Sequence, residues 1–221
     1  MYDWDFSVVW KYKWIFVQGA WVTLEITFFA IILGTVFGFG LGFARSARSV
    51  WLRVPASIYV ELFLALPILV LMIWIYYCGP ILAGITLSGF WAAVLALSLT
   101  LIAYVAEIVR SGLLAVPKGQ VEAARALGMS QLQATSRIVV PQAVRIMVPP
   151  LLGMYISTLK MSSLASVVAV YELVHSAQNL IMESFRPLEI YTTVAVVYVA
   201  LVLPFTYLTR RYERSSTWKL T

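Results

Sequence analysis

The sequence predicts an all-α membrane protein of five transmembrane helices, N-terminus outside and C-terminus cytoplasmic, with a helical cytoplasmic coupling loop. Three observations carry this. Of the 221 residues, 62% are hydrophobic and only 12% are charged, whereas a soluble domain is about half apolar and about a quarter charged. The apolar residues gather into five runs, each long enough to cross a bilayer core, which takes about 20 helical residues. The basic residues collect at one set of run ends.

The first run covers 19–44, with Glu25 near its start. Ahead of it, SVVWKYKWIFV reads as a short amphipathic helix on the interface, and Trp10, Trp14 and Trp21 suit a headgroup belt. Asp3, Asp5, Lys11 and Lys13 interrupt this region, so no cleavable leader is expected. The second run, 56–78, carries Glu61 and, at Pro67, the signal for a kink. The third, 86–110, is uncharged through Ala106, and the fourth, 146–171, is interrupted only by Lys160. The fifth, 190–209, is uncharged. The whole chain, 1–221, reads as a single transmembrane domain.

Lys and Arg favour the cytoplasmic ends of spans. Arg45, Arg48 and Arg53 lie between runs one and two, and Arg110, Lys118, Arg125, Arg137 and Arg145 between runs three and four. Arg210, Arg211, Arg214 and Lys219 follow run five. Only Lys11, Lys13 and Arg186 fall on the other side. The net charge of +6 is thus a topology signal and calls for no nucleic acid.

The cytoplasmic loop 111–145 has its own pattern. Glu122 to Leu127 is a run of good helix formers, and Gly128 stands where a left-handed C-cap residue belongs. Ser130 and Gln133 spell a capping box, and a second helix is predicted from Gln131 until Pro141 ends it. The small residues Ala123, Ala124 and Ala126 would admit another protein closely, with Glu122 and Arg125 as charged registration at the rim. The residues alone leave two readings open: a docking element, or an amphipathic connector lying on the headgroups.

Glu122-Ala123-Ala124, Gly128, Ile138 and Pro141 at this spacing resemble the EAA signature of ABC importer permeases. YVAEIVRSGLLAVPKGQ upstream, and VYELVHSAQNLI and FRPLEIY downstream, resemble the polar amino acid uptake subfamily. The resemblance implies the type I importer fold and half of a translocation pathway, completed by a second permease of the same or a homologous chain. It also implies a dimer of ATP-binding subunits docked at Glu122, Ala123, Ala124, Arg125 and Gly128, and an extracytoplasmic substrate-binding protein. ATP and Mg would sit on the ATPase partner: this chain, not itself an enzyme, has no GxxxxGK[ST]. The location implied is the cytoplasmic (inner) membrane of a bacterium, as a multi-pass protein among lipid.

Ionisable groups at membrane depth are costly and mark candidate sites. Glu107 and Arg110, three residues apart, are read as an ion pair that is structural or part of an inner gate. Glu61 is read as within reach of Arg53 or Arg110, and is counted with the candidate substrate path. The core of that path is Lys160, Met161, Ser162 and Ser163. Lys160 either snorkels outward or meets a carboxylate beside a cavity. Relatives often carry an acidic residue where this chain has Met161, which argues against a cationic substrate on this subunit. They also tend to have Arg-Gly-Thr where this chain has Leu64, Ala65 and Leu66.

Cys78 is alone and forms no intrachain disulfide. His175, the only histidine, is expected on the surface of an external helix, and no metal site is predicted. Glu172, Glu183 and Glu189 share that side and are candidates for docking a binding protein. The alternative function is an ATP-independent secondary transporter or channel for small polar solutes, though no internal repeat supports it. An intramembrane enzyme would need clustered bases and nucleophiles that the sequence lacks.

Overall fold

The computed structural model describes residues 2–215; Lys219 lies outside them. Every regular element described is helical. A short α1 (Ser7–Lys11) leads into α2 (Lys13–Arg45), the first span. The second span is α3 (Val50–Ala65), then α4 (Ile68–Ile73), which runs through a π turn at Trp74–Cys78 into α5 (Gly79–Ala83). α6 (Gly89–Leu114) is the third. The loop holds α7 (Lys118–Ala126) and α8 (Gln131–Ala134), then a π turn at Thr135–Val139 that opens into α9 (Val140–Met161). A 3₁₀ segment, Ser162–Val168, ends the fourth span. α10 (Leu173–Ser184) lies between it and the last span, α11 (Pro187–Ser215).

Several predicted boundaries change. Span one begins at Lys13, because the aromatic residues before Gly19 join the helix. Span two is broken rather than kinked: Val50–Ala65 and Ile68–Leu82 meet at 100°. A proline ring disfavours helical backbone at the residue before it, and Leu66 is extended at φ −83°, ψ 125°. Pro141 ends nothing. The preceding π turn supplies the local change of register where its missing N–H would interrupt the helix, and one continuous helical stretch, Gln131–Val168, joins α8 to the fourth span. That span finishes at Val168, where Ala169 takes a left-handed conformation.

Packing centres on α6, the most buried span. Small residues on it, among them Ala92, Ala96, Ala103 and Ala106, are fully covered. From α2, three glycines four residues apart face it. A Cβ on Gly34, Gly38 or Gly42 would lie 2.6 Å from the side chains of Leu101, Val105 and Val109 respectively. Lipid chains are as apolar as leucine, so spans associate through this close fit rather than through hydrophobic exclusion. Further along the same side of α6, Gly112 receives Met147 of α9.

Substituting leucine for Gly38 should cost about 1–3 kcal/mol, as overpacking does, and lower the unfolding temperature in detergent. Gly40→Ala, whose Cβ meets nothing within 4 Å, should leave it unchanged. Equal effects from the two would sink this packing account.

Candidate functional site

At the Arg-rich end the chain folds into a helix, a tight turn and a second helix. Gly128 sits at φ 82°, a conformation glycine adopts without cost. Around it the N–H of Met129 donates to the carbonyl of Ala124 (3.1 Å) and that of Gly128 to Arg125 (3.0 Å). This is the Schellman pairing that satisfies the last carbonyls of a helix. Ser130 and Gln133 form the reciprocal capping box that starts α8. Gln120 and Gln142 bond side chain to side chain, tying α7 to the base of α9.

The exposed face differs from the one read in sequence. Glu122, Ala123 and Arg125 are exposed, but Ala124 is buried at 5% exposure against the chain's own helices. What stands out instead is Leu127 and Leu132, 81% and 79% exposed on either side of the turn. Two bare leucines thus flank the capped turn, an exposure that helical periodicity does not reveal.

Close by, Glu107 pairs with Arg45 of α2 and not with Arg110. The close approach of α2 to α6 brings the Arg45 guanidinium across to it, whereas the predicted partner is only a neighbour on the same helix. Arg110 and Glu61 are within electrostatic range of Arg45. Glu61, exposed on α3, therefore belongs to this basic-end cluster and is separated from Lys160.

Lys160 closes the opposite end of α9, beside a cavity of about 510 Å³ that it lines with Ser163 and Tyr198. Ser163 donates its hydroxyl to the Lys160 carbonyl at 2.8 Å. Ser162 leaves the candidate path: it is fully buried and its hydroxyl is used on the Leu159 carbonyl. Met161 packs against the core. Below Lys160, exposed Gly153 and half-buried Ser157 continue a face of small and polar residues along α9.

Beyond the cavity, Glu172 caps α10, accepting the N–H groups of Val174 (2.9 Å) and His175 (2.8 Å). Tyr198 of α11 donates to the same carboxylate at 3.5 Å. Thr23 of α2 accepts the N–H of Leu173, and the absence of a side chain at Gly19 lets that backbone approach. Glu189 is likewise buried, held by the Tyr2 hydroxyl (2.6 Å), the Asp5 N–H (3.0 Å) and Arg186. Neither glutamate offers a docking charge; Glu183 alone of the three is exposed. His175 is partly buried, edge-on to the Tyr171 ring at 4.9 Å. Glu172 and Glu189 turn inward because backbone N–H groups beside them need partners that hydrocarbon cannot supply.

The profile of the family described as the inner membrane component of binding-protein-dependent transport systems matches residues 20–217. The chain belongs to that permease family. It is 37% identical over 205 residues to the octopine transport system permease OccM of Rhizobium radiobacter, covering 89% of this chain and 84% of that one. It is 35% identical to the glutamine transport system permease GlnP of Escherichia coli, covering 95% and 96%. A crystal structure of an amino acid ABC transporter with histidines superposes with a TM-score of 0.91 at 34% identity, over 97% of this chain and all of that one. A permease of this family is a transport subunit and not an enzyme, and it works with an ATPase and a binding protein. Membership decides against the ATP-independent transporter or channel.

Burial pushes the Glu172 carboxyl up to about 7, over the opposing effect of its backbone and Tyr198 hydrogen bonds. A carboxyl whose folded pKa is raised favours folding when protonated. That contribution is full below about 4.5 and is lost as pH rises through about 7. Hydrogen exchange at the α10 N-terminus, corrected for intrinsic rates, should therefore show more opening at pH 8 than at pH 5. Glu172→Gln should flatten the difference; an unchanged slope would refute the assignment.

Proposed function

We propose that this permease carries an amino acid or a close derivative into a bacterial cell across the cytoplasmic membrane. It forms half of an ATP-driven pathway with a second permease subunit. The observation that carries the reading is the capped helix pair at the basic end. The positive-inside rule places it in the cytoplasm, where a helix with exposed Glu122 and Arg125 and flanking Leu127 and Leu132 fits a cleft on an ATP-binding subunit. Fully capped, the turn is stiff enough to pass movement of that subunit to α9, to which Gln120 and Gln142 join it. ATP and Mg belong to the partner.

The amino acid class is supported by the relatives, named for octopine and glutamine. The second permease is supported by the face of α9 carrying Gly153, Ser157 and Lys160. Exposed small and polar residues on a span favour a protein neighbour or water over lipid. Lys160, at the cavity with Ser163 and Tyr198, is the group on this chain suited to a substrate carboxylate. Met161 supplies no charge for a cationic side chain, which favours a neutral substrate. Glu183 remains as a contact for the binding protein on the external face.

The test is co-purification. Expressed with its neighbouring genes and extracted in mild detergent, the wild-type chain should retain an ATP-hydrolysing subunit, and Glu122→Lys should lose it while still inserting. Retention by Glu122→Lys would overturn the coupling assignment. In the same system, Lys160→Met should cut uptake at least tenfold with assembly intact, and unchanged uptake would return Lys160 to a snorkelling role.

A further inference from the structure

A second cavity, of about 380 Å³, lies between α2, α9 and α11. Its walls are three matching stretches of seven-residue separation, Leu24 to Ile31, Leu152 to Leu159 and Val202 to Thr209, each about 10 Å long along its helix. The lining is aliphatic and aromatic apart from three hydroxyls, and all three are already committed. Thr27 donates to the Thr23 carbonyl (2.7 Å), Thr209 to the Phe205 carbonyl (2.9 Å), and Tyr155 pairs with Thr35 (2.8 Å). A polar solute entering here would give up its water and receive no hydrogen bond in return. The transported molecule therefore has no resting place in it. Phe28 and Leu208, both 60% exposed, open the groove toward the surroundings of the bundle.

The charge below the groove is as one-sided as its lining. Arg145 lies seven residues before Leu152, two turns lower on the same face of α9. Arg210 and Arg211 follow Thr209 directly on α11. All three are exposed, and among the described residues none is in an ion pair. Basic residues between spans at the cytoplasmic surface are suited to an anionic headgroup.

We propose that this groove is a binding site for an anionic phospholipid. One acyl chain fills the space between α2, α9 and α11, and its phosphate is met by Arg145 with Arg210 and Arg211. The bound lipid ties α11 to α2 and α9 where their own side chains leave the gap, so it stabilises the permease and is no part of the cargo path.

The full-length permease, purified in mild detergent with the subunits that accompany it, is examined by native mass spectrometry and then placed in nanodiscs of phosphatidylglycerol or phosphatidylcholine. Wild type should retain phosphatidylglycerol and unfold several degrees higher in phosphatidylglycerol than in phosphatidylcholine. Arg145→Gln, which removes no core packing, should abolish that preference. Ile156→Trp, which fills the groove, should abolish retention, with Ile156→Phe as the milder variant if the first fails to fold. No retained lipid, or retention unaffected by both kinds of variant, overturns the proposal. So does an efficient cross-link between permease subunits through single cysteines at Ile156 or Leu208 in a Cys78→Ser background, because a second copy would then occupy the groove.

Discussion

Glycines 34, 38 and 42 remove the side chains that would otherwise hold α2 away from α6, and the backbones close to within contact of Leu101, Val105 and Val109. In water, such a pair would be driven together by expelling solvent. In hydrocarbon that drive is absent, and fit decides. With α2 and α6 locked, α6 becomes the post against which α3, α4 and α9 pack. The same approach brings Arg45 to Glu107, so the charge cluster at the basic end is a consequence of the glycine contact and not an independent feature.

At several helix ends, the external ones above all, a polar side chain is committed to the backbone. Glu172 caps α10, Glu189 gathers the N-terminal segment onto α11, and Thr23 serves the turn into α10. Unpaired backbone groups are expensive at such depth, which explains why Glu172 and Glu189 are buried. The Lys160 face and the capped pair at the basic end, where polar groups are left outward, are the sites proposed above for substrate and for the ATPase partner.

Much of this was legible in the sequence. The five apolar runs appear because a bilayer needs about 20 apolar residues per span whatever the fold. The turn at Gly128 and the capping box at Ser130 appear because they involve only neighbours in the chain. The glycines at 34, 38 and 42 form a small-residue stripe in the sequence, but a stripe does not name the helix it meets. The pairing of Glu107 with Arg110 failed for the same reason, since helical proximity offers one partner and a neighbouring helix offered a better placed one. Pro141 and Pro67 look alike as letters. One sits after a π turn that carries the span onward and the other breaks its span by 100°.

By itself the sequence determined the membrane class, the orientation through its basic loops, the family and the local turn chemistry. These rest on composition, on charge counts and on interactions within a few residues. Tertiary structure decided which charges pair, that Ser162 and Ala124 turn inward, that Leu127 and Leu132 stand bare, and where the two cavities lie. Those outcomes depend on which helix faces lie opposite one another. That is a property of distances across the bundle, which no pattern along a single helix contains.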